Sequence, residues 1–530
     1  MPPKRKANGR TTRGVDGAAM ASASPDRKSS RVADRSDAKP SPGLIPALEA
    51  YTLQSLAKPI AFRTSQASLA TFFKAGTGKS KDSVKDTNPV ATAEGDNPAD
   101  GIEWLRAGSL ILGLHGSPKS SGKVAFFDLD QTLITVKGSH RFSKNADDWQ
   151  WLFKDVPERL RKLHGKGYKI VIITNQMGLR KAFDKGNTKG FTQFTIFRDK
   201  LNRVAASLQL PFQLLGAIAP DLYRKPNGGM FHFFTYYLND GVPVRLADSF
   251  YVGDAAGRAN HWKPGVKADH SDCDRKFAAN LGLPFQTPEE HFRGEAPADY
   301  QYPGEFDPST FPAPPLSLTS DGPGSDTTPG AYPRCCTAET LKLRSGESPE
   351  VIVAVGFPAS GKSTLARRVI EPAGYVYVNQ DTLRTRAKCV EAVRAALAAG
   401  RSVIVDNTNP EVATRAHYID LARAAGCPVR CLHFTAPLAV ARHNSRFRAY
   451  GQLEPREFIV RNALAAELDH LEELPTTIPM VVFHTFNSRL EPPTTDEGFS
   501  EVLPLNFHLH PEYWGAEAPT MLAKWRCWHE

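Results

Sequence analysis

Lys123-Val-Ala-Phe-Phe-Asp128-Leu-Asp130-Gln-Thr132 runs from an apolar stretch directly into two carboxylates. The apolar part predicts a strand that delivers both acids to the loop where an α/β sheet places its site. Their spacing puts the two carboxylates on one side of an extended chain, where together they can hold Mg²⁺. One can attack phosphorus while the other donates a proton to the leaving oxygen. A second phosphate-handling stretch, Gly356-Phe-Pro-Ala-Ser-Gly361-Lys362-Ser363, lies farther along the chain. The first pattern suits taking a phosphate off and the second suits putting one on. A chain that does both must act on two different positions or run a futile cycle.

With 530 residues, 41% of them hydrophobic, the chain can fill two cores, so two domains plus tails are expected. No run reaches the roughly 18 apolar residues of a membrane span, and the start Met1-Pro-Pro-Lys-Arg-Lys6 lacks the apolar stretch of a secretory signal. These features predict a soluble intracellular protein with no membrane partner. The seven cysteines include the neighbours Cys335 and Cys336 but no C-x-x-C pair, which speaks against a zinc ribbon or a disulfide framework. A formal charge of +10 fits a polyanionic partner such as nucleic acid.

Residues 1–100 are rich in Ser, Ala, Pro, Gly, Lys and Asp, a composition that cannot bury enough apolar area to offset chain entropy; a disordered basic tail is expected. Within it Pro3-Lys4-Arg5-Lys6 resembles a nuclear localisation signal. From 101 to 295 short apolar strands (123–127, 169–173, 212–218, 249–252) alternate with helices such as 191–208, predicting a parallel sheet covered by helices on both faces. Residues 296–345, rich in Pro, Ser, Gly, Asp and Thr, read as a linker. A second alternating region, 346–530, has strands at 351–355, 375–378, 402–405 and 429–434 and a helix at 389–399.

Three further strand ends in the first region carry polar residues: Ile172-Ile-Thr174-Asn175, Tyr223-Arg224-Lys225-Pro226 and Tyr251-Val-Gly253-Asp254. With Asp128-Leu-Asp130-Gln-Thr132 they follow the motif order of the haloacid dehalogenase phosphatases, which this region resembles. The resemblance implies a Rossmann-like fold with Asp128 as nucleophile, Asp130 as general acid and base, Thr174, Asn175 and Lys225 on the phosphate, and Asp128, Asp130 and Asp254 around Mg²⁺. Val252-Gly-Asp-Ala-Ala-Gly-Arg258 narrows the likeness to the DNA 3'-phosphatase branch, where Arg258 would contact a nucleic-acid phosphate. Asp269, Asp272 and Asp274 are alternative supports for the metal shell.

In the second region the Gly-rich loop follows an apolar strand and precedes a helix start at Thr364, the context a P-loop requires. The backbone between Gly356 and Gly361 would cradle the phosphates of ATP, Lys362 would reach the β- and γ-phosphates, and Ser363 would bind Mg²⁺. Asp381 is placed to deprotonate an acceptor hydroxyl and Arg384 to hold an acceptor phosphate. The strand ending in Asp406-Asn-Thr-Asn409-Pro410 presents a polar edge to the site. Arg442, Arg446 and Arg448 recur at helical spacing suited to a lid over the nucleotide. The set resembles the 5'-hydroxyl polynucleotide kinases.

In this order the motifs resemble the eukaryotic bifunctional polynucleotide kinase 3'-phosphatases. The resemblance implies that 3'-phosphate and 5'-hydroxyl ends of DNA strand breaks become ligatable, with the two phosphates on opposite sides of one break. RNA end healing with the same reactions is the alternative, and a clamp-bound adaptor with decayed catalytic domains is another, against which the intact Asp128, Asp130, Lys362 and Asp381 speak. Animal members carry a forkhead-associated domain at the front, whereas residues 1–100 lack a β-sandwich pattern, so a form without that domain is expected. Instead Gln66-Ala-Ser-Leu69-Ala-Thr-Phe72-Phe73 matches the sliding-clamp (PCNA) binding box, projecting Leu69, Phe72 and Phe73 into an apolar pocket beside Gln66. A nuclear monomer is expected, with Trp514, Trp525 and Trp528 completing the kinase core.

Overall fold

Val124–Phe127 (β4) is wholly buried and lies between two parallel neighbours, Lys169–Asn175 (β7) and Phe250–Val252 (β9). This is where an uninterrupted apolar strand belongs, because both faces of a central parallel strand are covered. The computed structural model describes residues 51–60, 101–140, 143–184, 187–302, 306–311, 337–344, 348–465 and 476–529. All belong to one compact unit, residues 46–530. Among them no helix is long and apolar enough to cross a membrane.

The first sheet has eight strands. Lys58–Pro59 (β1), Ile102–Ala107 (β2) and Leu110–His115 (β3) form an antiparallel edge that meets Phe212–Ala217 (β8), and the order continues β7, β4, β9 and Phe285–Gln286 (β10) in parallel. A small separate hairpin joins Ile134–Thr135 (β5) to Gln150–Trp151 (β6). The helix Thr188–Leu208, capped by Asn187, covers the sheet with Phe194, Phe197, Leu201, Val204, Ala205 and Leu208, the spacing of one buried helical stripe.

Two expectations are corrected here. The sheet is mixed rather than parallel throughout, because β2 and β3 close a hairpin at Gly108-Ser109, with Gly108 at φ 58°, a conformation that suits glycine. The basic tail is not featureless up to residue 100. Thr52 caps the turn Leu53–Leu56, Leu56 and Ala57 are buried, and Pro59 sits on an edge strand, where a missing N–H costs nothing. The remainder of the tail, including Pro3-Lys4-Arg5-Lys6 and Gln66 to Phe73, lies outside the described residues.

The second sheet is parallel throughout. Its order is Val376–Val378 (β12), Val403–Val405 (β13), Val351–Gly356 (β11), Val429–Phe434 (β14) and Glu501–Leu505 (β15). Alternation along β11 feeds two cores: Val351, Val353 and Val355 pack with Val393, Tyr418 and Ile419, while Ile352 and Ala354 pack with Leu365 and Ile370. β15 gives no strand signal in the sequence, since this half-exposed edge strand sets Glu501 and Pro504, a charge and a residue without an N–H, among its apolar residues. The described ends of the expected linker are docked: Phe306 and Phe311 pack beside Trp525, and buried Leu341 accepts a hydrogen bond from Arg430 at 2.8 Å through its carbonyl. Trp525 and Trp528 are buried and Trp514 packs against Phe447, as expected of core residues.

The halves meet closely. Asn462 accepts from the Ser109 N–H at 2.8 Å, Tyr450 donates to the Pro220 carbonyl at 2.8 Å, and Tyr223 packs edge-on against Phe458. A Cβ on Gly108 would fall 2.1 Å from the Asn462 side chain, so the hairpin glycine also permits this approach. Leu56 is 1% exposed, and Leu56→Ala should destabilise the protein by about 2–5 kcal/mol. A urea unfolding midpoint equal to that of the unaltered chain would remove residues 51–60 from the fold.

Candidate active sites

The carboxyl ends of β4, β7 and β9 bring Asp128, Thr174 and Asp254 to one edge of the first sheet, and the loop after β8 adds Lys225. Lys225 is 2% exposed, and its Nζ donates to Asp128 Oδ1 at 2.7 Å, Asp274 Oδ1 at 2.7 Å and the Ile173 carbonyl at 2.9 Å. Tyr251 lies 2.8 Å from the same nitrogen and donates to Asp274 at 3.0 Å. Burial alone would discharge the ammonium, but Asp128 and Asp274 outweigh it and raise the lysine above its ordinary value. Burial pushes Asp128 up to about 7 against the pull of Lys225, and Asp254 is raised well above the carboxylate range by burial and then by its acidic neighbours.

Carboxylate oxygens of Asp128, Asp254 and Asp274 all lie within 4.8 Å of one another, and Lys225 is the cation bonded to two of them. Three acids around one ammonium leave negative charge over, so the donor set fits a hard divalent cation such as Mg²⁺. Among the three alternative acids the structure favours Asp274, at the start of the helix Cys273–Leu281. Asp269 is taken by Arg258 at 2.8 Å and Asp272 by Lys276 at 2.7 Å. Gly253 has to be glycine, because a Cβ there would meet the Asp274 carboxylate at 2.5 Å.

Three assigned roles change. Asp130 lies outside the carboxylate cluster: the strand ends at Phe127, the same-side alternation ends with it, and the exposed Asp130 carboxylate accepts from Gln176 at 2.8 Å and faces Lys200 at 3.6 Å. That position suits proton transfer better than metal ligation. The Asn175 side chain is committed to the backbone N–H and carbonyl of Lys225, at 2.9 and 3.2 Å, so it shapes the lysine loop instead of gripping phosphate. Arg258 is 4% exposed, ion-paired with Asp269 and Glu289, and stacked 3.8 Å from the Trp262 ring centre. A buried guanidinium neutralised by two acids is not free for a substrate phosphate. Gln176, which bridges Asp130 and Thr174, escaped the sequence reading because an amide after a strand carries no charge signal.

At the second site Gly356 and Gly361 take φ values of 156° and 99°, and a Cβ on Gly356 would strike Phe434 at 2.8 Å. Lys362, buried at the helix start, donates to the carbonyls of Gly356 at 3.0 Å and Phe357 at 2.5 Å. Burial lowers it to about 8, with Asp406 pulling the other way. Asp406 ends β13, is 1% exposed and accepts from Tyr377 at 2.6 Å; the sequence reading quoted it without giving it a role. Asn379 joins the pieces by donating to the Asp406 carbonyl at 2.6 Å and accepting from the Asp381 N–H at 2.8 Å.

Asp381 and Arg384 are exposed beside this edge, as are Thr364 and, in part, Ser363. Of the arginines expected over the nucleotide, Arg446 instead donates to the His529 carbonyl at 3.1 Å, because its helix packs that face on residues 518–529. Arg448 is the one whose charge opposes that of Lys362, while the buried Arg442 Nε has no hydrogen-bond partner.

The polynucleotide kinase 3 phosphatase family profile matches residues 123–292 and an AAA domain profile matches residues 351–474. A bifunctional polynucleotide phosphatase/kinase of Schizosaccharomyces pombe is 33% identical over 431 residues, covering 81% of this chain and 88% of that protein. The chain belongs to the bifunctional polynucleotide phosphatase/kinase family. The polynucleotide 3'-phosphatase ZDP of Arabidopsis thaliana is 36% identical over 186 residues, 32% of this chain and 24% of that one. A polynucleotide 3'-phosphatase of Saccharomyces cerevisiae is 30% identical over 213 residues, 32% of this chain and 86% of that one. In this phosphatase/kinase Arg258→Ala should lower thermal stability while changing the KM for a 3'-phosphate oligonucleotide by less than about threefold, since a buried paired charge is lost and no substrate contact is. A selective rise in KM at unchanged stability would return Arg258 to the substrate.

Proposed function

We propose that this phosphatase/kinase heals broken DNA strands, removing 3'-phosphate at Asp128 and phosphorylating 5'-hydroxyl with ATP at Lys362. The observation that carries the reading is the presence of two separate phosphate-handling sites, each at the carboxyl edge of its own sheet. Asp128 Oδ attacks phosphorus, the bond to the 3'-oxygen breaks, and Asp130 gives that oxygen its proton. Asp130 then takes a proton from the water that hydrolyses the aspartyl-phosphate, regenerating Asp128. Thr174 and Lys225 bind the phosphoryl oxygens, and Lys225 keeps the nucleophile anionic beside Asp274. Asp128 and Asp254 would hold Mg²⁺, which when bound supplies positive charge to the phosphoryl group.

In the kinase half Asp381 removes the proton of the acceptor hydroxyl, with Arg384 on an acceptor phosphate, while Lys362 leaves the carbonyls of Gly356 and Phe357 for the β- and γ-phosphates. Ser363 and Asp406 would hold the Mg²⁺ of the nucleotide, Arg442 would neutralise the nucleotide phosphates, and the charge that Arg448 brings near Lys362 supports the same role for it. Net positive charge supports a polynucleotide substrate. The basic run at Pro3 supports a nuclear location, and Gln66, Leu69, Phe72 and Phe73 support recruitment by the sliding clamp.

On a nicked DNA bearing 3'-phosphate and 5'-hydroxyl, Asp128→Asn should slow 3'-phosphate release by about 10³-fold or more and leave 5'-phosphorylation intact, with Lys362→Ala giving the mirror result. Loss of both activities in either variant would refute the division of labour, and faster turnover of the matching RNA would move the substrate to RNA. A peptide of residues 60–80 should bind the clamp and lose binding when Phe72 and Phe73 become Ala; equal affinity of the altered peptide would remove the clamp from the proposal.

A further inference from the structure

The helix Cys273–Leu281 touches the lysine loop at two places. Its first turn supplies Asp274 to the Lys225 ammonium at 2.7 Å. Its last turn supplies Asn280, whose Nδ2 donates to the carbonyl of Pro226, the residue after Lys225, at 2.8 Å. The same carboxamide grips the other half of the molecule: Nδ2 also donates to the Trp528 carbonyl at 2.8 Å, and Oδ1 accepts from the Trp528 N–H at 2.7 Å. Trp528 is seated in the phosphatase half by its ring as well, 4.1 Å from the Lys276 ammonium and 4.7 Å from the Tyr302 ring. Lys276 is fixed in turn by Asp272 at 2.7 Å.

On the kinase side this anchor is not a loose end. Arg446 holds the His529 carbonyl and His443 holds that of Trp525 at 2.7 Å. The Trp525 indole N–H donates to Asn444 at 3.0 Å, and Asn444 donates to the carbonyl of Ala359 in the nucleotide loop at 3.1 Å. A rigidly held segment of the kinase half therefore presents a backbone N–H and carbonyl to a side chain that also sets the lysine loop. A surface asparagine serving only as glue would have no need of the Pro226 carbonyl.

We propose that Asn280 is a positioning residue for 3'-phosphate removal, fixing the Lys225 loop by bonding the Pro226 carbonyl while docked on Trp528 of the kinase half. The proposal rests on the role given above to Lys225. Without the carboxamide, the Pro226 carbonyl and both backbone groups of Trp528 lose their partner. Lys225 then remains bonded to the acids through its side chain and to Asn175 through its backbone, but its loop loses the tie at Pro226 to the last turn of the helix Cys273–Leu281. Phosphate removal depends on placing the lysine within a fraction of an ångström, so the chemical step slows while substrate binding does not.

In the full-length protein Asn280→Ala should lower kcat for 3'-phosphate release by about tenfold, with KM for the oligonucleotide and the 5'-phosphorylation rate within about twofold of the unaltered enzyme. Trp528→Ala keeps the backbone groups that Asn280 bonds and loses only the ring that seats them, so it should produce a smaller fall in the same step. The double variant should be no slower than Asn280→Ala, as expected when both act through one contact. A phosphatase kcat within twofold of normal in Asn280→Ala overturns the proposal. So do multiplying losses in the double variant, or loss of 5'-phosphorylation in step with phosphate release, which would make the contact a general support of the fold. Lys225→Met separates the two levels: full activity in that variant would sink the role of Lys225 itself, whereas an inactive Lys225→Met beside a normal Asn280→Ala would sink only the role of Asn280.

Discussion

Everything in the phosphatase half is arranged around one buried ammonium. Lys225 reaches Asp128 at the end of β4, Asp274 at the start of a helix, and the Ile173 carbonyl in β7, so its position is set by three elements distant in sequence. Two carboxylates 4.8 Å apart repel by about 3.5 kcal/mol at an effective dielectric of 20, and three such acids share this site. Their mutual repulsion and their burial both favour protonation, which would remove the nucleophile. The lysine, bonded directly to Asp128, opposes both effects there, while Asp254 is raised well above the carboxylate range by burial first and by its acidic neighbours next. The same three acids are the donor set that would hold a divalent cation.

Lys362 shows the contrast. It is as deeply set, but backbone carbonyls face it instead of carboxylates, and its affinity for a proton falls while that of Lys225 rises. Carbonyl dipoles occupy the ammonium without neutralising it, a holding position that a polyphosphate can take over. One lysine is held by carboxylates and the other by backbone carbonyls, and the difference follows from what ends the neighbouring strands: Asp128 follows β4, whereas β11 ends in Gly356 itself.

Local patterns were legible in the sequence and neighbourhoods were not. Asp128, Lys362 and the central strands of both sheets could be read because an apolar run followed by a polar residue is a signal within ten residues, whereas Lys225 came only through the motif order shared with the haloacid dehalogenase phosphatases. The β2–β3 hairpin could not, since its buried strands end in no polar site residue, nor could β15, a half-exposed edge strand that lacks that contrast. Arg258 was misjudged for a related reason: a sequence shows a charge but not Asp269, Glu289 and Trp262 closing around it. Asp269, Asp272 and Asp274 were indistinguishable until the start of the helix at Cys273 fixed which one faced Lys225. Asp406 was visible as a residue but not as the acceptor of Tyr377, because that contact crosses between strands.

The seating of Trp528 between Lys276 and Tyr302 gives the molecule a second connection. The chain passes once from phosphatase to kinase through 296–345, and near residue 528 it comes back to touch the half it left. Topologically this closes a ring of the two halves, with the peptide backbone as one clasp and the contacts of Asn462, Tyr450, Phe458 and Trp528 as the other. A ring tolerates change on one side as long as the other holds. The connecting segment is itself part of that closure, because Tyr302, Phe306, Phe311 and Leu341 within it are docked on residues of the kinase half.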